Sequence, residues 1–179
     1  MITPTVYNAL RYARPPSGIR HYRFPMSYWK HFEQLPRLPH GVLPVADALC
    51  RFNPIHGQGM SSAAKQARLL QDVLGRAAGE PDPITAVQTG FMADVASVLE
   101  TPWNMSTSAD LAFPRTRGIR PENFEEAQQF EVALFRAAVT DPVVHRAIME
   151  VAQLLQPQSR LQEPQIMRRI EAASTKAAA

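Results

Sequence analysis

The feature that most constrains this chain lies in residues 41–60, which read Gly-Val-Leu-Pro-Val-Ala-Asp-Ala-Leu-Cys-Arg-Phe-Asn-Pro-Ile-His-Gly-Gln-Gly-Met. A short apolar run ends on an aspartate, a loop turns through Asn-Pro, and two glycines precede an alanine-rich segment. This order predicts a strand over 41–45 with a carboxylate at its end. It also predicts a helix whose first backbone N–H groups have no partner within the helix. Such an arrangement suits a polyol and an anionic or electron-rich ring.

Composition sets broad limits on the fold and on the location of the protein. The chain has 179 residues, of which 45% are apolar and 20% charged, and these values are ordinary for one globular domain. No apolar run reaches the ~18 residues of a membrane span, and the N-terminus has no signal-peptide core. We therefore expect a cytoplasmic protein without membrane contact. The single cysteine, Cys50, is expected to be a small apolar residue beside the loop.

The charge is unevenly placed along the chain. Net charge is +3, but the first 40 residues hold six basic residues against one acid, together with seven of the 14 aromatic residues. Interleaved basic and aromatic residues can form a nucleic-acid surface. No nucleic-acid motif accompanies the patch, so we expect packed rings with solvent-exposed arginines and no nucleic-acid partner.

Hydrophobic periodicity predicts a mostly helical chain. Apolar residues recur at three and four positions after Met60, and Gly79 and Pro81 end that pattern. No long element is predicted for residues 1–18. The predicted helices cover 60–77, 84–100, 123–139, 142–155 and a short segment after Pro164, and the predicted strands cover 18–25 and 41–45. The predicted fold class is therefore predominantly α, with about five helices and two or three short strands.

The order Asp47, Pro54 and then Gly57-Gln58-Gly59-Met60 before a helix resembles the third flavin-binding motif of flavoprotein monooxygenases of the para-hydroxybenzoate hydroxylase type. The resemblance is best over residues 18–78 and looser over the later helices. The family usually has Gly-Asp where this chain has Ala46-Asp47, so the added methyl group could crowd a cofactor.

The resemblance implies a C-terminal fragment of an α/β FAD-binding monooxygenase fold. Residues 1–40 would be the end of a substrate-domain sheet and an approach segment, and 41–78 the flavin motif. Residues 79–171 would be a C-terminal helical region, and 172–179 a flexible tail. An N-terminal Gly-x-Gly-x-x-Gly segment is absent, so the resemblance implies an N-terminal FAD-binding portion in a longer or separate chain.

The resemblance also implies the chemistry. FAD would be the cofactor, NAD(P)H its reductant, and a small organic substrate would be hydroxylated or epoxidised. Asp47 would bind the ribityl chain, Pro54 would fix the loop, and Gly57–Met60 would face the pyrimidine edge of the flavin. His56 is either a proton donor near the flavin or a loop residue without a role. No catalytic acid or base is assignable, and the scattered histidines predict no metal site.

The same residues allow two other interpretations, a dinucleotide-binding site and a non-catalytic interaction protein. Gly57-x-Gly59-x-x-Ser62 is a poor dinucleotide-binding fingerprint, because its last position is serine and no strand directly precedes it. The alternative function is a non-catalytic helical interaction protein that retains a relict flavin-binding loop.

Overall fold

The computed structural model describes residues 4–14, 18 and 20–178. Within these residues the chain forms six α-helices and one two-stranded ribbon. In chain order they are α1 (Pro4–Tyr12), β1 (Tyr28–Trp29), β2 (Cys50–Arg51), α2 (Gln58–Ala77), α3 (Pro83–Leu111), α4 (Phe124–Thr140), α5 (Pro142–Ala152) and α6 (Pro164–Ala178). The prediction of a predominantly α chain is confirmed.

The helices α2 and α3 form a hairpin joined by a short connection. Asp82 caps the start of α3 by accepting a hydrogen bond from the Thr85 N–H, and Pro83 occupies the first turn, where no N–H is needed. The two helices approach closely at Gly90, where an added Cβ would lie 3.1 Å from Val73 Cγ1. This hairpin is the scaffold on which the segment 39–57 rests.

A first hydrophobic cluster joins the hairpin to the ribbon. Its buried members are Leu49, Cys50, Phe52, Phe91, Met92, Val95 and Leu99. The ribbon is antiparallel and pairs Tyr28 with Arg51 and Trp29 with Cys50. Burial raises the pKa of the Cys50 thiol to about 12, with a smaller contribution from the nearby carboxylate of Asp47. Cys50 is therefore an inert core residue, as its sequence context predicts.

A second hydrophobic cluster joins the three C-terminal helices. Its buried members are Leu134, Ala137, Val144, Ala147, Ile166 and Ile170. Asp141 connects all three helices, because it follows α4, caps α5 through the N–H groups of Val143 and Val144, and accepts a 2.7 Å hydrogen bond from Arg169 Nη1 of α6. The Arg169 hydrogen bond lowers the pKa of the Asp141 carboxyl.

Hydrogen bonds to backbone carbonyls connect the two clusters. Gln58 Nε2 donates to the Ala152 carbonyl at 2.8 Å, and Lys65 Nζ donates to the Leu154 carbonyl at 2.8 Å. Leu154 has a left-handed φ of 56°, so the chain leaves the helix there. The helix predicted over 142–155 therefore ends at Ala152, and its end is fixed against α2.

Both strand predictions are wrong in position. The described residues of 18–25 have no regular structure, and 41–45 makes no strand ladder. The strands are β1 and β2 instead. The alternating pattern of 18–25 lacks a neighbouring strand in the described part of the chain, and a period-two pattern forms a strand only where a partner completes the ladder.

Three helix predictions are also corrected. Residues 4–12 form α1, where no long element was predicted. The helix predicted to end at 100 continues through Pro102 to Leu111, because the buried Pro102 ring packs in the core and only one intrahelical hydrogen bond is lost. The predicted tail after Ala172 belongs to α6, which continues to Ala178.

Among residues 4–14, 18 and 20–178, no helix combines the length and apolar character that a membrane crossing requires.

Two buried glutamines hold the irregular backbone of 39–46 against the hairpin. Gln88 Nε2 of α3 donates to the carbonyls of Pro39 and Val42 at 2.8 and 2.7 Å. Its Oε1 accepts from the Gly41 N–H at 3.3 Å. Gln66 Oε1 of α2 accepts from the Ala46 N–H at 2.8 Å. Side-chain amides thus take the place of a neighbouring strand.

We expect Gln88→Ala to lower the free energy of unfolding by about 2–3 kcal/mol, because two carbonyls and one N–H lose their partner. Urea denaturation measures this difference. Gln71→Ala, on the exposed side of α2, is the control and should change stability by less than about 0.5 kcal/mol. If the Gln88 variant is as stable as this control, the amide does not hold the segment.

Candidate functional site

The aspartate of the motif lies in a tight turn directly after the segment 42–45. Ala46–Ala48 form a single 3-10 turn, and Asp47 is exposed at its centre. The Tyr28 hydroxyl donates to the Asp47 backbone carbonyl at 3.3 Å. The Asp47 carboxylate accepts no hydrogen bond from the described residues. It is therefore available to a ligand hydroxyl.

Ala46 adopts a backbone conformation that favours glycine. Its φ is 50°, in the left-handed region where a Cβ costs about 1–2 kcal/mol. The departure of this chain from the Gly-Asp pattern therefore falls on a residue whose geometry suits glycine. The Gln66 hydrogen bond to the Ala46 N–H stabilises the strained turn.

The loop between β2 and α2 is fixed by its own residues. Asn53 Oδ1 accepts from the Ile55 N–H at 3.3 Å, and Pro54 begins the 3-10 turn Pro54–His56. Gly57 ends this turn with a φ of 66° and is also the residue from which α2 begins. An added Cβ at Gly57 would meet no atom within 4 Å, so the positive φ, and not crowding, requires glycine here.

Asp110, near the end of α3, holds this loop from the other side. Its Oδ1 accepts from Asn53 Nδ2 at 2.8 Å and lies 3.1 Å from His56 Nε2. A carboxylate only accepts hydrogen bonds, so the proton of a neutral His56 ring belongs on Nε2, which leaves Nδ1 as an acceptor. His56 is thus oriented by a partner and is more than a loop residue without a role.

Sequence reasoning missed Asp110, because it lies 57 residues from Asn53. The sequence did contain one indication that Asp110 has a role outside its own helix. A carboxylate in the last turn of a helix faces the negative end of the helix dipole, so helix stability alone does not favour an acid there.

The start of α2 is open on its outer side. Among the residues that the structure describes, no side chain caps it, and the N–H groups of Gln58, Gly59 and Met60 have neither an intrahelical nor a capping partner. An added Cβ at Gly59 would meet no atom within 4 Å, and the Met60 side chain is 87% exposed. Gln58 is buried and its side chain is bonded to the Ala152 carbonyl, so Gly59 and Met60 form the open side of this helix start.

The predicted residues are spread along α2 and do not meet at one point. The Gln66 hydrogen bond places Ala46, and with it Asp47, beside the third turn of α2. Gln66 follows Gln58 by eight residues, which is about 12 Å along a helix axis. An extended ligand, with a polyol at Asp47 and a ring at the start of α2, matches this separation better than a compact one.

The acceptor and donor groups that are present are of the kinds that would bind a flavin. The free Asp47 carboxylate suits ribityl hydroxyls, and the uncapped N–H groups carry about half a positive charge that would stabilise an anionic pyrimidine edge. Pro54 and Gly57 shape the loop and need not contact the ring. In the described part of the chain, no group of three or more His, Cys, Asp or Glu residues is placed to hold a metal ion.

We expect Ala46→Gly to raise the free energy of unfolding by about 0.5–1 kcal/mol, because relief of the left-handed strain exceeds the added chain entropy. Thermal and urea denaturation measure this change. Ala48→Gly, in the same turn but at a negative φ, is the matched control and should lower stability by about 0.5–1 kcal/mol. A loss of stability in both variants would argue against strain at Ala46.

Asp110→Ala should lower the free energy of unfolding by about 1–3 kcal/mol and speed amide hydrogen exchange over 53–57, because the loop loses its shared acceptor. Asp72→Ala removes an exposed carboxylate that pairs with Arg68 and should cost less than about 0.5 kcal/mol. Unchanged exchange over 53–57 in the Asp110 variant would contradict the assigned role.

Comparison with known proteins shows sequence similarity to a protein whose name states no activity. No protein-family model matches the chain. In an alignment of 145 positions that covers 76% of this chain, the sequence is 31% identical to Protein Rv3254 of Mycobacterium tuberculosis (strain ATCC 25618 / H37Rv). The match covers 28% of that protein, so the chain spans less than a third of the length of this relative.

Proposed function

We propose that this chain is the C-terminal segment of an FAD-dependent monooxygenase that hydroxylates or epoxidises a small organic substrate. One observation carries the proposal: α2, whose start has no cap and open space at Gly59, also holds through Gln66 the turn that presents the free Asp47 carboxylate. An anionic ring and a polyol chain are the two ligand parts that this pair of groups recognises.

The roles of the residues follow from their surroundings. Asp47 accepts hydrogen bonds from the ribityl hydroxyls. The backbone N–H groups of Gln58, Gly59 and Met60 stabilise negative charge on the pyrimidine edge of the flavin. Pro54 and Gly57 set the loop geometry, and Asp110 holds it. When bound, FAD supplies the redox chemistry, with NAD(P)H as its reductant.

The proposal places the rest of the FAD site outside these residues. The adenosine diphosphate half of FAD needs a Gly-rich strand–helix turn, which the sequence lacks. An N-terminal FAD-binding portion, in a longer or separate chain, supplies it in this proposal. The relative from M. tuberculosis has ample length for such a portion, because the match covers 28% of it. We propose a cytoplasmic location for the assembled enzyme.

A second candidate function is supported by a groove on α4. Val132, Phe135 and Val139 line an open apolar groove of about 470 Å³, and the Val139 side chain is 83% exposed. Such a surface suits a helical interaction protein in which the flavin-type loop only packs. Flavin binding by the assembled protein separates this candidate from the first.

The isolated chain is expected to bind FAD weakly or not at all, because it provides contacts to only one half of the cofactor. A chimera in which this chain replaces the matched segment of Rv3254 should instead purify with flavin. Absorbance in the flavin bands and fluorescence titration measure both. A stoichiometric yellow complex of the isolated chain, with about micromolar or better affinity, would contradict this prediction.

Gly59→Val and Gly75→Val are a matched pair for the chimera. Both glycines lie in α2 and have open space where a Cβ would be, so both variants should fold. Only Gly59→Val puts a side chain over the uncapped N–H groups, so only this variant should lose flavin. If both variants, or neither, retain flavin at the level of the parent chimera, the cofactor does not bind at the start of α2.

A further inference from the structure

A wide groove lies between α4 and α6. It has a volume of about 1280 Å³ and is open to solvent. The residues of α4 that line it extend from Gln128 to Thr140, a separation of about 18 Å along a helix axis. A small-molecule site normally encloses most of its ligand, whereas a long and open groove suits a helix of about three turns.

The half-buried residues of this groove are apolar. Ala133 of α4 and Ala173 of α6 both line the groove and pack against the second hydrophobic cluster. Val132 also lines the groove and is 49% exposed. Small side chains such as alanine let another helix approach closely, and the contact removes exposed apolar surface from water. The groove therefore offers an apolar floor to a bound helix.

Free cations lie on both helices of the groove. Arg136 of α4 and Arg168 of α6 line it and are exposed. Neither guanidinium group has a hydrogen bond, ion pair or ring contact within the part of the chain that the structure describes. Arg169 lines the groove as well, but its charge is paired with Asp141 at 2.7 Å. Two unpaired guanidinium groups beside an apolar floor favour a ligand that carries carboxylates.

Other occupants match these features less well. A symmetric contact with a second copy would bring the same two free arginines together. The helix α1 has exposed Tyr7 and Leu10 side chains, but it carries Arg11 and neither Asp nor Glu, so it does not complement the groove. Nucleic acid requires more cations than two, and a membrane surface contacts projecting residues and not recessed ones.

We infer that the groove between α4 and α6 binds an acidic amphipathic helix of about three turns from a partner protein. The apolar side of that helix lies on the two alanines, and its carboxylates pair with Arg136 and Arg168. This surface is separate from the start of α2, so the inference does not depend on flavin binding. The groove shares Val132 and Arg136 with the smaller groove on α4, and a bound helix would also cover part of that apolar surface.

Binding of two synthetic peptides tests the inference. Both are fluorescein-labelled amphipathic helices of about 14 residues with a leucine on every turn, and they differ only in carrying glutamates or lysines beside the leucines. Fluorescence anisotropy with the whole chain in about 0.1 M salt should show at least about tenfold tighter binding of the glutamate peptide, because its carboxylates meet two unpaired guanidinium groups. Equal affinity for both peptides, or no binding of the glutamate peptide, overturns the inference.

A double substitution separates binding in the groove from general attraction to a basic protein. Arg136→Glu with Arg168→Glu should weaken binding of the glutamate peptide by at least about tenfold and make the lysine peptide the tighter ligand. Arg115→Glu with Arg146→Glu is the matched control, because it changes the net charge equally at exposed residues outside the groove. It should keep the preference for the glutamate peptide. The same behaviour in both double variants would show that the peptide binds elsewhere.

NMR titration of the unmodified protein gives a result that does not depend on the folding of a variant. The methyl signals of Ala133 and Ala173 should shift when the glutamate peptide is added. The methyl signal of Ala67, which is exposed on α2, should not shift. Shifts confined to residues outside the groove contradict the inference.

Two further results would assign the groove to another occupant and so rule out the inference. One is a dimer of the isolated chain, measured by sedimentation, that competes with the glutamate peptide and dissociates in Arg136→Glu with Arg168→Glu. The other is tighter binding of laurate than of the glutamate peptide at the same alanine methyl groups, which would make the groove a site for a small organic anion.

Discussion

The hydrogen bonds from Gln66 and Gln88 to the backbone of 39–46 are the constraint on which the rest of the candidate site depends. This backbone contains a proline and a strained turn, and it has no neighbouring strand in the described part of the chain. Unpaired backbone groups beside a core are costly, so a buried glutamine from each helix of the hairpin supplies the missing partners. The position of Asp47 follows from those contacts.

The motif loop is held by a second set of polar contacts that come from distant parts of the chain. Asp110 binds the loop through Asn53 and His56, and Gln58 binds the end of α5. The start of α2 is thereby fixed to both hydrophobic clusters, while its outer side stays open. A rigid base with an open face is the arrangement that a preorganised anion-binding site requires, because no reordering of the loop has to accompany binding.

Much of the helical architecture was predictable, since its signals are local. The apolar periodicity after Met60, the Asp141-Pro142 start of α5 and the Pro164 start of α6 all predict helices that the structure contains. The errors have one physical origin. Pro102 ends a helix by local rules, yet its burial beside the first cluster keeps α3 continuous. The predicted strands likewise lacked the pairing partners that a ladder needs.

The sequence by itself determined the order of the motif and the identity of the groups that we propose to bind a ligand, because a glycine-rich helix start and an aspartate before it are read from nearby residues. The tertiary structure decided how these groups are held. Gln66, Gln88 and Asp110 act on backbone and side chains between 20 and 57 residues away, and no local pattern specifies a contact at that separation. The packing of α2 against α3 brings Gln66 and Gln88 to the segment 39–46 and Asp110 to the loop after β2, and hydrogen bonds of 2.7 to 2.8 Å form only when the side chains are held in those positions.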